Sequence, residues 1–123
     1  MLILIAHGSR DPRWRESVEK LAESLQADLG PDEVRLAYMQ FASPTLIDVA
    51  SEAVRAGATK LRVLPLFLTG DGHLVRDIRP LVDQLVDQLR KTHQSVEVTL
   101  LPPVGRHPLF EELLCKIARE EMS

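Results

Sequence analysis

The sequence predicts an α/β domain built on an open, parallel, four-stranded sheet with helices on both faces. Three observations carry that expectation. Four short apolar runs are spread along the chain, each followed by a longer segment in which apolar residues return every three or four positions. Proline or glycine punctuates most of the switches between the two patterns. The intervening segments are long enough to be helical crossovers, which force parallel pairing with right-handed connections. The order βαβαβαβα then suggests a strand order of 2-1-3-4 in one domain spanning residues 1–123.

The first strand is Leu2 to Ala6, a continuous apolar run of the kind covered on both faces. Asp11 caps the first helix and Pro12 opens it. Trp14, Val18, Leu21 and Leu25 form its expected buried stripe, and Gly30 with Pro31 ends it. Val34 to Gln40 is the second strand. Ser43 and Pro44 start the second helix, with Leu46, Ile47, Ala50, Ala53 and Val54 facing inward and Gly57 closing it. Leu61 to Leu68 is the third strand, irregular or partly at an edge near Pro65, which has no N–H for a ladder bond. After Thr69-Gly70-Asp71-Gly72-His73, the main body of the third helix runs from Asp77, with Pro80 in its first turn and Ile78, Leu81, Val82, Leu85 and Leu89 inside. Val96 to Leu101 is the fourth strand. His107 and Pro108 open a last helix with Phe110, Leu113, Leu114 and Ile117 on one face.

Composition narrows the function. Hydrophobic residues at 45% and charged residues at 27% fit a folded soluble domain rather than a disordered chain. A net charge of −3 argues against a general nucleic-acid surface. The apolar start is too short for a signal segment, and no run approaches a membrane span. With one cysteine, Cys115, expected to pack beside an apolar stripe, the chain reads as cytoplasmic.

In such a sheet, ligands bind beyond the carboxyl ends of the strands where strand order reverses, here between the first and third strands. His7 follows the first strand and His73 follows the third. Adjacent strands lie ~4.8 Å apart, so two imidazoles leaving their ends can reach one ion at ~2.1 Å each. Neutral imidazole suits zinc, cobalt, nickel, iron and copper. The pair points to a metal or active site; singly, each histidine reads as a polar loop residue. Gly8 lets the backbone approach a ligand closely, and Ser9 with the nearby helix amides offers an anion site. Equally, Gly8 and Ser9 make the turn and cap the helix. Asp71 is a further oxygen ligand or a solvated turn residue. Arg10, Arg13, Arg76 and Arg79 cluster near the histidine loops and suit a polyanionic small molecule, or are plain surface arginines. His93 reads as surface and His107 as a helix-start residue. There is no GxSxG, CxxC, HExxH or GxxxxGK[ST] pattern.

His7-Gly8-Ser9-Arg10, Pro65-Leu66-Phe67-Leu68 leading to Gly72-His73, Asp77-Ile78 and Gly105-Arg106-His107-Pro108 occur in order along nearly the whole chain. Together they resemble the small class II tetrapyrrole chelatases, the CbiX-type sirohydrochlorin chelatases. That resemblance implies a flavodoxin-like half of a class II chelatase, acting as a lyase-class enzyme. It implies insertion of Co²⁺, with Ni²⁺ or Fe²⁺ as alternatives, into sirohydrochlorin on routes to cobalamin or sirohaem, with no organic cofactor. It implies a homodimer of short chains, with catalysis and metal binding by His7 and His73. Ser9, Arg10, Gly72 and Arg76 are the expected contacts to the macrocycle in this reading. The family often carries a glutamate where this chain has Gln40. An amide oxygen can still ligate a metal, but it accepts no proton as a carboxylate does. A non-catalytic metal- or tetrapyrrole-binding protein of the same fold is therefore the second reading. A third is a flavodoxin-like module for a phosphorylated ligand, disfavoured by an aromatic content of 4%.

Overall fold

A computed structural model describes residues 1–68, 72–92 and 95–123, with the side chains of 72–75 outside that description. Four parallel strands form one sheet in the order β2-β1-β3-β4. They are β1 (Leu2–Ala6), β2 (Val34–Tyr38), β3 (Lys60–Pro65) and β4 (Glu97–Leu100). The crossovers are α1 (Pro12–Leu29), α2 (Leu46–Arg55) and α3 (Gly72–Lys91), and a short 3₁₀ turn at Val104–Arg106 precedes α4 (Pro108–Met122). The expected architecture and strand order are those observed.

β1 lies inside the sheet, with Leu2 paired to Val34 on one side and to Arg62 on the other. Its residues from Ile3 to Ala6 are buried, which explains the unbroken apolar run. Alternation sorts them. Ile3 and Ile5 join Leu61, Val63 and the α2 and α3 residues Val49, Ala50, Ile78, Val82 and Leu85 in the main core. Leu4 meets Ala22 of α1 and Val34 on the opposite face.

Several boundaries differ from expectation for physical reasons. β3 stops at Pro65, not Leu68. Pro65 is in an interior strand, and the ladder to the β4 side ends where the Leu101 N–H donates to the Val63 carbonyl, because Pro65 has no N–H to continue it. α2 starts at Leu46. Thr45 caps it through a capping box with Asp48, while the Pro44 carbonyl accepts the Tyr38 N–H and stays outside the helix. α3 already begins at Gly72, so Pro80 is in its interior rather than its first turn.

The α1 stripe differs from expectation, and the apolar face of α4 is uncovered. Trp14 and Leu21 are exposed; α1 packs through Val18, Ala22 and Leu25, because small Ala22 lets the helix approach Leu4 and Val34. α4 buries none of its residues, and Leu113, Leu114 and Ile117 are each about half exposed, as no strand or other α-helix packs closely on it. Cys115 on α4 is exposed for the same reason.

Tyr38, at the end of β2, is 2% exposed and donates its hydroxyl to Glu19 of α1 at 2.9 Å. Burial and that carboxylate push the phenol up to about 12 from its ordinary value of 10.0. The folded chain thus holds this proton more tightly than the unfolded one. The associated stability is complete below pH 10.0 and is lost as pH rises through about 12. Tyr38 is the single tyrosine, so phenolate absorbance reads it directly. The folded protein should titrate near pH 12, the urea-unfolded protein near 10.0, and Tyr38→Phe should flatten the stability loss between them.

Candidate metal centre

His7 is the first residue beyond β1 and is exposed. Backbone bonds fix it from both sides. Met39 N–H donates to the Ala6 carbonyl at 2.9 Å, and Gln40 N–H to the His7 carbonyl at 3.2 Å. On the β3 side, Leu66 N–H donates to the Ile5 carbonyl at 2.9 Å. Continuing the register from Ile5 and Pro65 sets His7 opposite Phe67. Their rings meet at 4.8 Å between centroids, tilted by 60°. Phe67 is buried in the main core, so a fixed aromatic wall restrains an exposed imidazole.

Gly8 takes a positive φ of 92°. A Cβ there would fall 1.9 Å from the Gln40 carbonyl oxygen. The structure gives this glycine a close approach to the protein's own backbone rather than the expected one to a ligand, and it brings Gln40 beside His7. Gly105 serves similarly: a Cβ on it would lie 1.7 Å from the Leu68 carbonyl oxygen, and its N–H donates to the Phe67 carbonyl. The loop after β4 is thereby pressed against the chain leaving β3.

His73 is the second residue of α3, at the start of the helix reached from β3, the strand paired with β1. Its side chain lies outside the described residues, as do Gly70, Asp71 and His93. Gly72 is the first residue of α3. Among the described residues, no three His, Cys, Asp or Glu side chains gather into a metal cage.

The arginines separate into different roles. Arg13 is paired with Asp11 at 2.7 Å, and this hydrogen bond holds the Asp11 carboxyl below its ordinary range. Arg10 is exposed, with its guanidinium 4.7 Å from the Phe41 ring centre. Arg76 and Arg79 are exposed on α3. Arg15 was passed over in the sequence. It lines a cavity of about 470 Å³ with His7, Gly8, Ser9, Trp14, Tyr38 and Phe67. Ser9 accepts the Asp11 N–H, Asp11 caps α1, and the hydroxyl hydrogen of Ser9 remains available. His107 caps α4 by accepting the Leu109 N–H at Nδ1.

Trp14, Arg15, Tyr38 and Phe67 are thus site residues beyond those read from the sequence. Trp14 carried the one available signal: a large aromatic just past a helix cap at the ligand-binding edge. Helical periodicity assigned it to the core instead.

The CbiX family model matches residues 1–121. The chain belongs to the CbiX family. A sirohydrochlorin cobaltochelatase of Saccharolobus solfataricus is 31% identical over 121 residues, spanning 97% of this chain and 93% of that protein. A CbiX protein from Marinobacter aquaeolei VT8 superposes with a TM-score of 0.80 at 32% identity, covering 98% of this chain and 95% of the other. The fold is also that of the sirohydrochlorin chelatase SirB from Bacillus subtilis subspecies spizizenii, solved in complex with cobalt. There the TM-score is 0.77 at 21% identity, and this CbiX chain spans 49% of the SirB chain.

Gly8→Ala tests the junction that holds His7 and Gln40 together. The overlap with the Gln40 carbonyl, added to the positive φ, should cost roughly 2 kcal/mol or more in urea unfolding. A change below about 0.5 kcal/mol would contradict the close approach.

Proposed function

We propose that this CbiX chain is a metal chelatase that inserts a divalent metal, cobalt foremost, into sirohydrochlorin, and that two copies form the working unit in the cytoplasm. His7 carries the reading. It is an exposed imidazole at the strand-order switch of an open parallel sheet, held by the Gln40 backbone bond and the Phe67 ring. The neighbouring strand β3 leads to the helix that starts Gly72-His73, so the chain path supports a second imidazole at the same edge. Family membership and the cobaltochelatase name of the Saccharolobus relative support both reaction and metal.

In this reading His7 and His73 present the metal to one face of the macrocycle, with Gln40 as an auxiliary oxygen donor. The pyrrole N–H protons must leave as the metal enters. A histidine that has released the metal is free to take one. Ser9, Arg10 and Arg76 meet the macrocycle's periphery.

Gln40 gives one specific reason to keep a second reading, a tetrapyrrole- or metal-binding protein without turnover, since its amide accepts no proton. One assay separates them. Sirohydrochlorin is mixed with Co²⁺, Ni²⁺ or Fe²⁺ and the metallated chromophore is followed with and without protein. Insertion above the spontaneous rate, fastest with cobalt, is expected, and His7→Ala and His73→Ala should each lose it by about 10²-fold or more while remaining folded. Binding at the spontaneous rate would establish the second reading.

Pairing is supported by what one copy leaves uncovered. The stripe Leu109, Leu113, Leu114 and Ile117 is open along α4. On the α1 side of the sheet, Lys60, Arg62 and Thr99 are exposed, and a cavity of about 550 Å³ runs between Leu2, Leu29, Arg62 and Leu101. Fully burying a Leu or Ile contributes roughly 1.5–3 kcal/mol, so mutual coverage of these surfaces suits a two-fold pair. Sedimentation at micromolar concentration should give a dimer, and Leu113→Glu with Ile117→Glu should give a folded monomer. A wild-type monomer would end the pairing proposal.

A further inference from the structure

The cleft between His7 and α1 has a chemical character that the metal assignment does not use. Arg15 lines it, and its Nε is buried with no hydrogen-bond partner. Two nearby carboxylates have other partners and make no ion pair with it. Asp11 is held by Arg13, and Glu19 accepts the Tyr38 hydroxyl. Among the described residues, Arg15 has no ion pair. An unpaired, partly buried guanidinium is costly, and a planar fork suits a carboxylate in two-point contact. Among the described residues no protein acceptor holds this guanidinium, which leaves it for an arriving one.

The same cleft has one open aromatic face. Trp14, Tyr38 and Phe67 line it, but Tyr38 and Phe67 are buried, so the indole of Trp14 is the ring free to meet a ligand. Trp14 is 77% exposed although it is the chain's single tryptophan. An exposed indole beside an unpaired guanidinium is poor as packing. It is well suited to a flat conjugated ring with acidic substituents.

We propose that Arg15 binds a peripheral carboxylate of the macrocycle while Trp14 lies against its ring plane, so that these two residues set substrate specificity on the α1 side of His7. The assignment rests on the chelatase reading for the identity of the ligand. It adds two residues that neither the histidine pair nor the arginines read from the sequence supply.

The test is direct binding of metal-free porphyrins graded in peripheral carboxylates, namely uroporphyrin, coproporphyrin and mesoporphyrin, followed by the porphyrin's own absorbance and fluorescence anisotropy. Arg15→Gln should weaken uroporphyrin by about ten- to a hundred-fold, coproporphyrin less and mesoporphyrin least. Arg15→Lys should keep a large part of the uroporphyrin affinity. Trp14→Ala should weaken all three by a similar factor, on the order of tenfold. Circular dichroism and thermal unfolding confirm that each variant is folded. Uniform weakening by Arg15→Gln, or no weakening, would overturn the Arg15 assignment; unchanged affinity in Trp14→Ala would overturn that of Trp14. Because no metal is present, graded binding without metal insertion would sink the chelatase reading and leave this one standing. Insertion at the normal rate in both variants, with unaltered porphyrin affinity, would do the reverse.

Discussion

The site depends on the two-sided hydrogen bonding of β1. An interior strand cannot slide without breaking ladders to both neighbours, and a one-residue slip would turn Ile3 and Ile5 out of the main core. The same ladders continue past the end of the strand. Ala6 and His7 accept N–H groups from Met39 and Gln40, and Ile5 accepts that of Leu66. His7 therefore inherits the rigidity of the sheet even though its side chain faces solvent. Gly8 completes the arrangement by letting the turn lie against the Gln40 carbonyl. A metal-handling imidazole needs a defined backbone and an open ring, and this junction supplies both.

The two faces of the sheet are covered unequally. α2 and α3 pack a large apolar core on one side. On the other, α1 covers a smaller cluster around Leu4, Ala22 and Val34, and α4 stands away. The thin side is where the His7 cleft opens toward Trp14 and Arg15. Both the proposed ligand surface and the surface proposed for pairing thus come from one incomplete layer. Residues that fail as core, such as Trp14, Leu113 and Ile117, are therefore the ones whose exposure calls for an account.

Much of this was legible in the sequence. β1 was bounded correctly, because a fully buried strand has no polar residue until it ends. Strand order followed from crossover length and handedness. The positions of His7 and Gln40, and the capping of α1 by Asp11, could be read from local pattern. The inner faces of α2 and α3 were read correctly as well, while the stripe of α1 and the packing of Cys115 were not. Periodicity identifies an apolar stripe but not what faces it, so Trp14 and Leu21 of the α1 stripe are exposed, and the apolar face of α4 has no close partner among the described residues. Arg15 was invisible for a related reason. Its interest lies in the carboxylates around it being engaged elsewhere, a fact of three-dimensional pairing that spacing does not record.

The matched region spans about half of SirB, whose fold it shares. A domain with one side of its sheet thinly covered has two routes to closure. A second lobe can be joined in one chain, or a second copy can be supplied in solution. The proposed pairing is the second route. It has a consequence the covalent form escapes: each copy presents the same α1-side cleft, so any surface used to bind the partner is removed from both clefts together. A pair that buried Trp14 and Arg15 would lose both ligand surfaces at once. The compatible geometry uses α4 and the bare stretch near Arg62 and Leu101, leaving the His7 edge of each copy open to a flat substrate.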